Sequence, residues 1–356
     1  MAFDESHIKD AVDRYRRERD RYLKLADRVA EICRTDICEG GGIRAQVTYR
    51  VKDPGSFERK LLKFSNDPDG HHYESVDDIF DKISDLAGVR ISTYQPEDCN
   101  SVRANIEKFF SGENNNPISI EHKDKHISDK YNFYNATHAQ VYLKDKDLVG
   151  TYDNLKSVGC EIQICTLMAH VWNEIEHDIG YKPGKEGPSA IEITLLYHLG
   201  NITLSGDEII SCLIKEHENR ISQIDEFADI YDFVSRMRKI HNDIDFTRNS
   251  DQLFALIRDI NINSQKKLDN IINNIKKDDL EKKMSLFNEY IQQNDDSGLM
   301  MDPNTSDILL FELFQNNLTE IIDCHKGRVG RGHGRPSRLY RIARRYEDYI
   351  RPHQSE

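Results

Sequence analysis

Cys160-Glu-Ile-Gln-Ile-Cys-Thr166 runs without a break into Leu167-Met-Ala-His-Val-Trp-Asn-Glu-Ile-Glu-His-Asp-Ile-Gly-Tyr-Lys182. The first seven residues alternate as a strand does, and side chains along a strand point to opposite faces in turn. Ile162 and Ile164 therefore face a core, while Glu161, Gln163 and Cys165 share the other face. The stretch that follows reads as an amphipathic helix carrying His170, Glu174 and His177. A carboxylate and an amide fixed on a rigid strand suit metal binding or proton abstraction. A half-buried edge strand with a solvated polar face would show the same alternation, so the surrounding segments decide.

Upstream, Ile43-Arg-Ala-Gln-Val-Thr-Tyr-Arg-Val-Lys52 alternates strictly, with Ile43, Ala45, Val47, Tyr49 and Val51 on one face and Arg50 and Lys52 on the other. Asp53-Pro-Gly turns this strand into a short helix beginning near Ser56. Ser75-Val-Asp-Asp78 reads as a capping box opening a further helix. Asp85-Leu-Ala-Gly-Val-Arg90 then leads into a strand over Val89–Tyr94, and Thr137–Lys144 is another, with His138, Gln140, Tyr142 and Lys144 on one face. Ile8, Val12, Tyr15, Tyr22, Leu25 and Val29 predict one amphipathic helix over residues 5–34, and 95–110 reads as a helix. The polar stretch Ser111–Tyr131 reads as a loop of the kind that serves as a lid or binding loop. Beyond Pro188 the spacing is helical throughout: Leu195, Leu199, Ile209, Ile210 and Leu213, then Leu253, Leu256, Ile257 and Ile260, then Leu268, Ile271, Ile272 and Ile275. The fold class is thus α+β, a mixed β-sheet flanked by helices and followed by an all-helical C-terminal region. The expected divisions are an N-terminal helix over 1–39, the mixed domain over 40–215, a helical region over 216–325 and a basic tail over 326–356.

With 356 residues the chain can bury a large core. Charged residues make up 31% of it and mean hydropathy is −0.69, which leaves no apolar run of membrane-spanning length. Met-Ala-Phe-Asp-Glu-Ser at the start lacks the basic and apolar regions of a signal peptide, so a cytoplasmic location is expected. Seven cysteines without a Cys-x-x-Cys pair fit reduced thiols in that compartment. The net charge of −13 is uneven, because Lys326–Arg351 carries nine basic residues against Glu347 and Asp348. Such a tail can touch RNA phosphates or pair with the acidic body.

Four separated segments share one property. Arg50 with Lys52, Asp85 with Arg90, Tyr134 with His138 and Glu161 with Gln163 each put ionisable, amide or aromatic groups at strand faces or junctions. Two carboxylates, several cations and an exposed ring suit a nucleotide with Mg²⁺. No glycine-rich Walker loop is present, so phosphates would be held by side chains. Glu174-Ile-Glu-His177 also has the Glu-x-x-His spacing of di-iron bundles, but such a site needs a second copy that the chain lacks.

In order, Arg50-Val-Lys52 with Ser56 and Lys60, Asp85-Leu-Ala-Gly-Val-Arg90, Tyr134-Asn-Ala-Thr-His138, Glu161-Ile-Gln-Ile-Cys-Thr166, and Trp172–His177 with Tyr181-Lys182 resemble the motifs of RelA/SpoT-type alarmone synthetase domains, over roughly residues 40–215. The resemblance implies transfer of the β,γ-diphosphate of ATP to a ribose 3′-hydroxyl of GDP or GTP, with Mg²⁺ as cofactor. It implies that Arg50, Lys52, Lys60 and Arg90 bind ATP and that Asp85 and Glu161 hold the metal. Tyr134, His138 and His170 would bind the acceptor, and Glu161 with Gln163 would activate its hydroxyl.

The chain departs from that pattern on the acceptor side. The family's loop usually reads Gly-Tyr-Arg-Ser-x-His, against Phe133-Tyr-Asn-Ala-Thr-His138 here, and the usual arginine before the threonine of the metal strand is Cys165. Each lost charge-assisted contact is worth about 1.5–3 kcal/mol. Two alternatives therefore stay open: the same transfer onto the 3′ end of tRNA or an adenine nucleotide, as a growth-arresting toxin, and a catalytically silent nucleotide-binding regulator. No hydrolase motif precedes the synthetase motifs, so control would come from expression, homo-oligomerisation or the helical C-terminal region acting as a regulator.

Overall fold

The computed structural model describes residues 5–66, 73–181, 187–241, 243–294, 296–330 and 336–351. Two compact units emerge, Met1–Cys38 with Ile43–Ile214, and Glu39–Gly42 with Lys215–Glu356.

In the first unit, α1 (Glu5–Ile32) buries the predicted stripe of Ile8, Val12, Tyr15, Tyr22, Leu25 and Val29. Its Tyr15 hydroxyl donates to the Lys52 carbonyl at 2.7 Å, which ties down the end of the strand that carries Arg50. That strand is β1 (Ala45–Val51), and Asp53 then caps α2 (Pro54–Ser65) by accepting from the Ser56 N–H at 3.0 Å, with proline at the first helical position. Ser75 caps α3 (Val76–Lys82), although the Asp78 carboxylate reaches back to the Glu74 N–H rather than to Ser75 itself. The rest of the unit is β2 (Ala87–Thr93), α4 (Pro96–Phe109), β3 (Phe110–Ser111), β4 (Ser119–Asp124), β5 (Asn135–Leu143), β6 (Cys160–Thr166), α5 (Leu167–Glu176) and α6 (Ala190–Ile221) as far as Ile214.

The six strands form one sheet in the order β1-β2-β6-β5-β3, with β4 also paired to β5. Only β2 and β6 are parallel. Register explains how residues distant in sequence meet. Thr48, Arg90, Gln163, His138 and Glu121 form one row across the strands, and Arg50, Gly88, Glu161 and Gln140 the next. Since alternate residues share a face, both rows look out from the same side, while Ile91, Ile162, Ile164, Ala139 and Val141 are buried.

Three sequence expectations need correction. The Ser111–Tyr131 stretch is not one long loop: it contains β4, an edge strand whose residues are mostly polar on both faces and so give no alternation signal. Tyr49, expected on the apolar face, is 41% exposed because β1 is itself an edge strand. The stripe of Leu195, Ile209 and Leu213 is helical as predicted but solvent-facing, because α6 docks through small and polar residues instead: Gly200 lies on the Phe133 ring, Gly206 on Met168, and Asp207 accepts from the Thr166 hydroxyl at 2.8 Å.

The second unit is helical: α7 (Ile230–Ile240), α8 (Ser250–Asp259), α9 (Gln265–Asn273), α10 (Lys277–Gln293), α11 (Asp307–His325) and α12 (Arg338–Ile350) enclose their own core around Phe233, Phe287, Phe311 and Phe314. Arg236 is buried there and makes two 2.7 Å bonds to the Asp232 carboxylate, and it also donates to the Ile221 and Ile224 carbonyls. Arg236→Ala strands the Asp232 charge, and a loss of about 3–5 kcal/mol is expected in chemical denaturation. The described part of the basic tail is largely neutralised within this unit. Arg338 pairs with Asp307, Arg345 with Asp296 and Arg344 with Glu347. The basic residues within 331–335 lie outside the described residues. Among the described residues no helix is long and apolar enough to cross a membrane.

Candidate active site

The two carboxylates singled out in the sequence lie on one side of the sheet, in contrasting surroundings. Asp85 sits just before β2, where Lys52 Nζ (2.7 Å) and Lys60 Nζ (2.8 Å) both reach its Oδ2. Its Oδ1 is buried with no hydrogen-bond partner. Burial pushes the Asp85 carboxyl up, but the two ammonium groups outweigh that and hold it below the usual carboxylate range. Glu161 is held at both oxygens, Oε1 by His138 Nδ1 (2.9 Å) and Oε2 by the Gln163 side-chain amide (2.9 Å). Burial again acts upward, and the His138 and Gln163 hydrogen bonds reverse it, so Glu161 too stays ionised at neutral pH.

His138 links this carboxylate to Tyr134. Its Nε2 lies 2.7 Å from the Tyr134 hydroxyl, and burial pushes that phenol up to about 12. An ionised Glu161 can only accept, so His138 Nδ1–H donates to it, and the Tyr134 hydroxyl and Nε2 share the second hydrogen bond. Lys125 Nζ lies over the Tyr134 ring, 5.0 Å from its centroid.

Arg90 joins the sheet to α5: it donates to Gln163 Oε1 (3.3 Å) and pairs with Glu174 (2.7 Å), with His170 Nδ1 at 3.2 Å. Burial and the Arg90 charge push the His170 imidazole down. His170, expected with the acceptor groups, thus stands beside Arg90, expected with the donor groups. Lys182 lies outside the described residues.

Two recesses open on this face. A small one of about 60 Å³ is lined by Arg50, Asp85, Gly88, Arg90, Glu161 and Gln163. A larger one of about 390 Å³ shares Arg50, Arg90 and Gln163 and extends to Lys123, Lys125, Tyr134, His138, Cys165, Asn173, Glu174, Glu176 and His177. Residues 49–186 match the family described as "Region found in RelA / SpoT proteins". This part of the chain is a RelA/SpoT domain. The match takes in all ten site residues named from the sequence.

Among solved structures, the chain is similar to small alarmone synthetase 1 from Bacillus subtilis, at 22% identity over 58% of this chain and 99% of that one, with a TM-score of 0.45. It is also similar to a GTP pyrophosphokinase family protein from Streptococcus pneumoniae, at 21% identity over 60% and 98% of the two chains, with a TM-score of 0.46. Small alarmone synthetase 2 from Bacillus subtilis aligns at 23% identity over 57% and 98%, with a TM-score of 0.42. No curated protein matches the chain in sequence.

In the RelA/SpoT domain, no group of three or more His, Cys, Asp or Glu side chains converges among the described residues. Mg²⁺ does not require one, since it keeps several waters and takes one or two carboxylates together with substrate phosphates. The unpartnered Asp85 Oδ1 beside Glu161 fits that requirement. Sequence reasoning missed Lys123, near the end of β4, and Lys125, just after it, which form part of the wall of the larger recess with Tyr134, Ala136 and Cys165. The wall also depends on Gly200, where a Cβ would fall 2.2 Å from the Phe133 ring next to Tyr134. Glycine to alanine inside a helix ordinarily stabilises. Gly200→Ala is expected instead to cost about 1–3 kcal/mol in thermal unfolding, because it overpacks this contact.

Proposed function

We propose that the RelA/SpoT domain is a diphosphotransferase that moves the β,γ-diphosphate of ATP to the ribose 3′-hydroxyl of GDP or GTP. The observation that carries this reading is the gathering of Arg50, Asp85, Arg90 and Glu161 around a small recess at one side of the sheet, with Lys52 and, from α2, Lys60 reaching Asp85. Arg50, Lys52, Lys60 and Arg90 would neutralise the ATP phosphates and align them for in-line attack. Asp85 and Glu161 would hold Mg²⁺, which supplies further neutralisation of the transferring group.

The acceptor 3′-oxygen bonds to the β-phosphorus while the bridge between the α- and β-phosphorus atoms breaks, its electron pair leaving with AMP. The hydroxyl proton passes to Glu161, whose orientation His138 and Gln163 fix. Lys123 and Lys125 would face the phosphates of a GDP or GTP acceptor, with Lys123 also paired to Glu121 at 3.1 Å. Three of the four α12 arginines, Arg338, Arg344 and Arg345, are paired with acidic residues of their own unit, which leaves less free charge for tRNA.

The test is to supply γ-labelled ATP and Mg²⁺ with GDP, GTP, ATP or deacylated tRNA in turn. Label in a guanosine product is expected. Label on tRNA or an adenine nucleotide would move the acceptor assignment, and label in no acceptor would favour the silent regulator.

A further inference from the structure

Arg90 lines both recesses, and its guanidinium already faces a carboxylate that the donor side does not otherwise use. Its Nη1 lies 2.7 Å from Glu174 Oε1 and 3.2 Å from His170 Nδ1, while Nη2 donates to Gln163 Oε1 at 3.3 Å. Glu174 comes from α5, one turn after His170, and lines the larger recess but not the small one. We propose that Glu174 is a built-in competitor for Arg90, a carboxylate that holds the guanidinium an ATP phosphate needs and so sets the affinity for ATP below what the same site would reach without it. This rests on the donor-site reading given above.

A guanidinium meets carboxylates and phosphates through the same planar fork of donors. A phosphate that pairs with Nη1 therefore displaces Glu174 or shares the nitrogen with it, and sharing sets two anions side by side. Lys52 and Lys60 also face a carboxylate, but a metal at Asp85 would draw on that same charge. Glu174 has no such second use in donor binding.

The fold does not need Glu174 to hold α5 or to aim Arg90. Thr166 caps the helix by accepting from the Ala169 N–H at 3.0 Å, and Trp172 Nε1 anchors it by donating to the Leu196 carbonyl at 3.1 Å. Arg90 stands on β2, which lies inside the sheet between β1 and β6, and two neutral partners, Gln163 and His170, flank its guanidinium. A guanidinium can only donate, so His170 Nδ1 is the acceptor of that bond. What Glu174 adds is charge. Its side chain is 48% exposed, against 19% for Arg90, so it has water to move into when a phosphate arrives.

The test compares the full-length wild type with Glu174→Gln, which keeps the size of the side chain and an oxygen that can accept from Arg90 but removes the charge. Calorimetry with a non-hydrolysable ATP analogue and Mg²⁺ should show binding tightened about 2–5-fold, the range for a pair this exposed. In the transfer reaction KM for ATP should fall by the same factor, with the gain carried by KM rather than kcat. Glu176→Gln removes a different carboxylate from the same recess and should not tighten binding. Weaker binding by Glu174→Gln would make Glu174 a positioning residue for Arg90, equal binding would leave the pair without consequence, and an equal gain in Glu176→Gln would reduce the effect to general repulsion. Each of these overturns the proposal. The binding measurement does not depend on transfer, so tightened binding in a chain that labels no acceptor keeps this inference and sinks the proposed reaction, whereas transfer without tightened binding sinks this inference alone. No binding by either protein would end both.

Discussion

Glu161→Gln is expected to bind ATP within a few-fold of the wild-type affinity and to transfer diphosphate about 10²–10⁴-fold more slowly, the span that removal of a positioned general base produces. The substitution keeps the size of the side chain and leaves an amide oxygen that can still accept from His138 Nδ1. What disappears is the negative charge and the capacity to take the acceptor's proton. Equilibrium binding of a non-hydrolysable ATP analogue, set beside the initial rate of transfer, separates the two effects. Equal loss of binding and rate would mean that Glu161 serves the donor site as a whole rather than the transfer step. An unchanged rate would remove it from the chemistry.

Asp85→Asn has the second large effect, and it has two readouts. Without the carboxylate, Lys52 and Lys60 face each other unneutralised, and a bound Mg²⁺ would lose the proposed ligand whose Oδ1 has no protein partner. Several kcal/mol of transition-state stabilisation from a bound metal translates into a fall in rate on the order of 10²–10³-fold, with the Mg²⁺ concentration for half-maximal rate displaced upward. The second readout is stability against pH. The Asp85 carboxyl is depressed in the folded protein, so its contribution is fully present above the ordinary carboxylate range and is lost as pH falls through the depressed value. Denaturation midpoints of the wild type and Asp85→Asn should therefore differ at neutral pH and converge under strong acid. A gap that persists unchanged into acid would show that the ion triad does not hold the charge as the structure implies.

The features legible in the sequence were those with a strong period or an ordered motif. The stripe of α1 and the alternation of β6 have only one way to bury their apolar residues, and the structure buries them so. Register was not legible, because no local pattern states that Arg90 lies across from Gln163 and Gln163 from His138. That pairing brings His138 onto Glu161 and makes Tyr134, His138, Glu161 and Gln163 one hydrogen-bonded chain. β4 was invisible because Ser119-Ile-Glu-His-Lys-Asp124 is polar on both faces, and with it Lys123 and Lys125 were lost to view. α6 misled for the opposite reason. Its apolar spacing is strong, but periodicity reports a face without saying what covers it.

The central claim is that a diphosphate moves as one unit from ATP, and the nucleotide left behind tests it most directly. Chromatography of a reaction with ATP, Mg²⁺ and GDP should show AMP accumulating mole for mole with the pyrophosphorylated product. It should show no ADP, and Glu161→Gln should slow the formation of both products equally. ADP in step with product would make the domain a simple kinase, and free pyrophosphate with an adenylated acceptor would make it a nucleotidyltransferase. Either result would contradict the account.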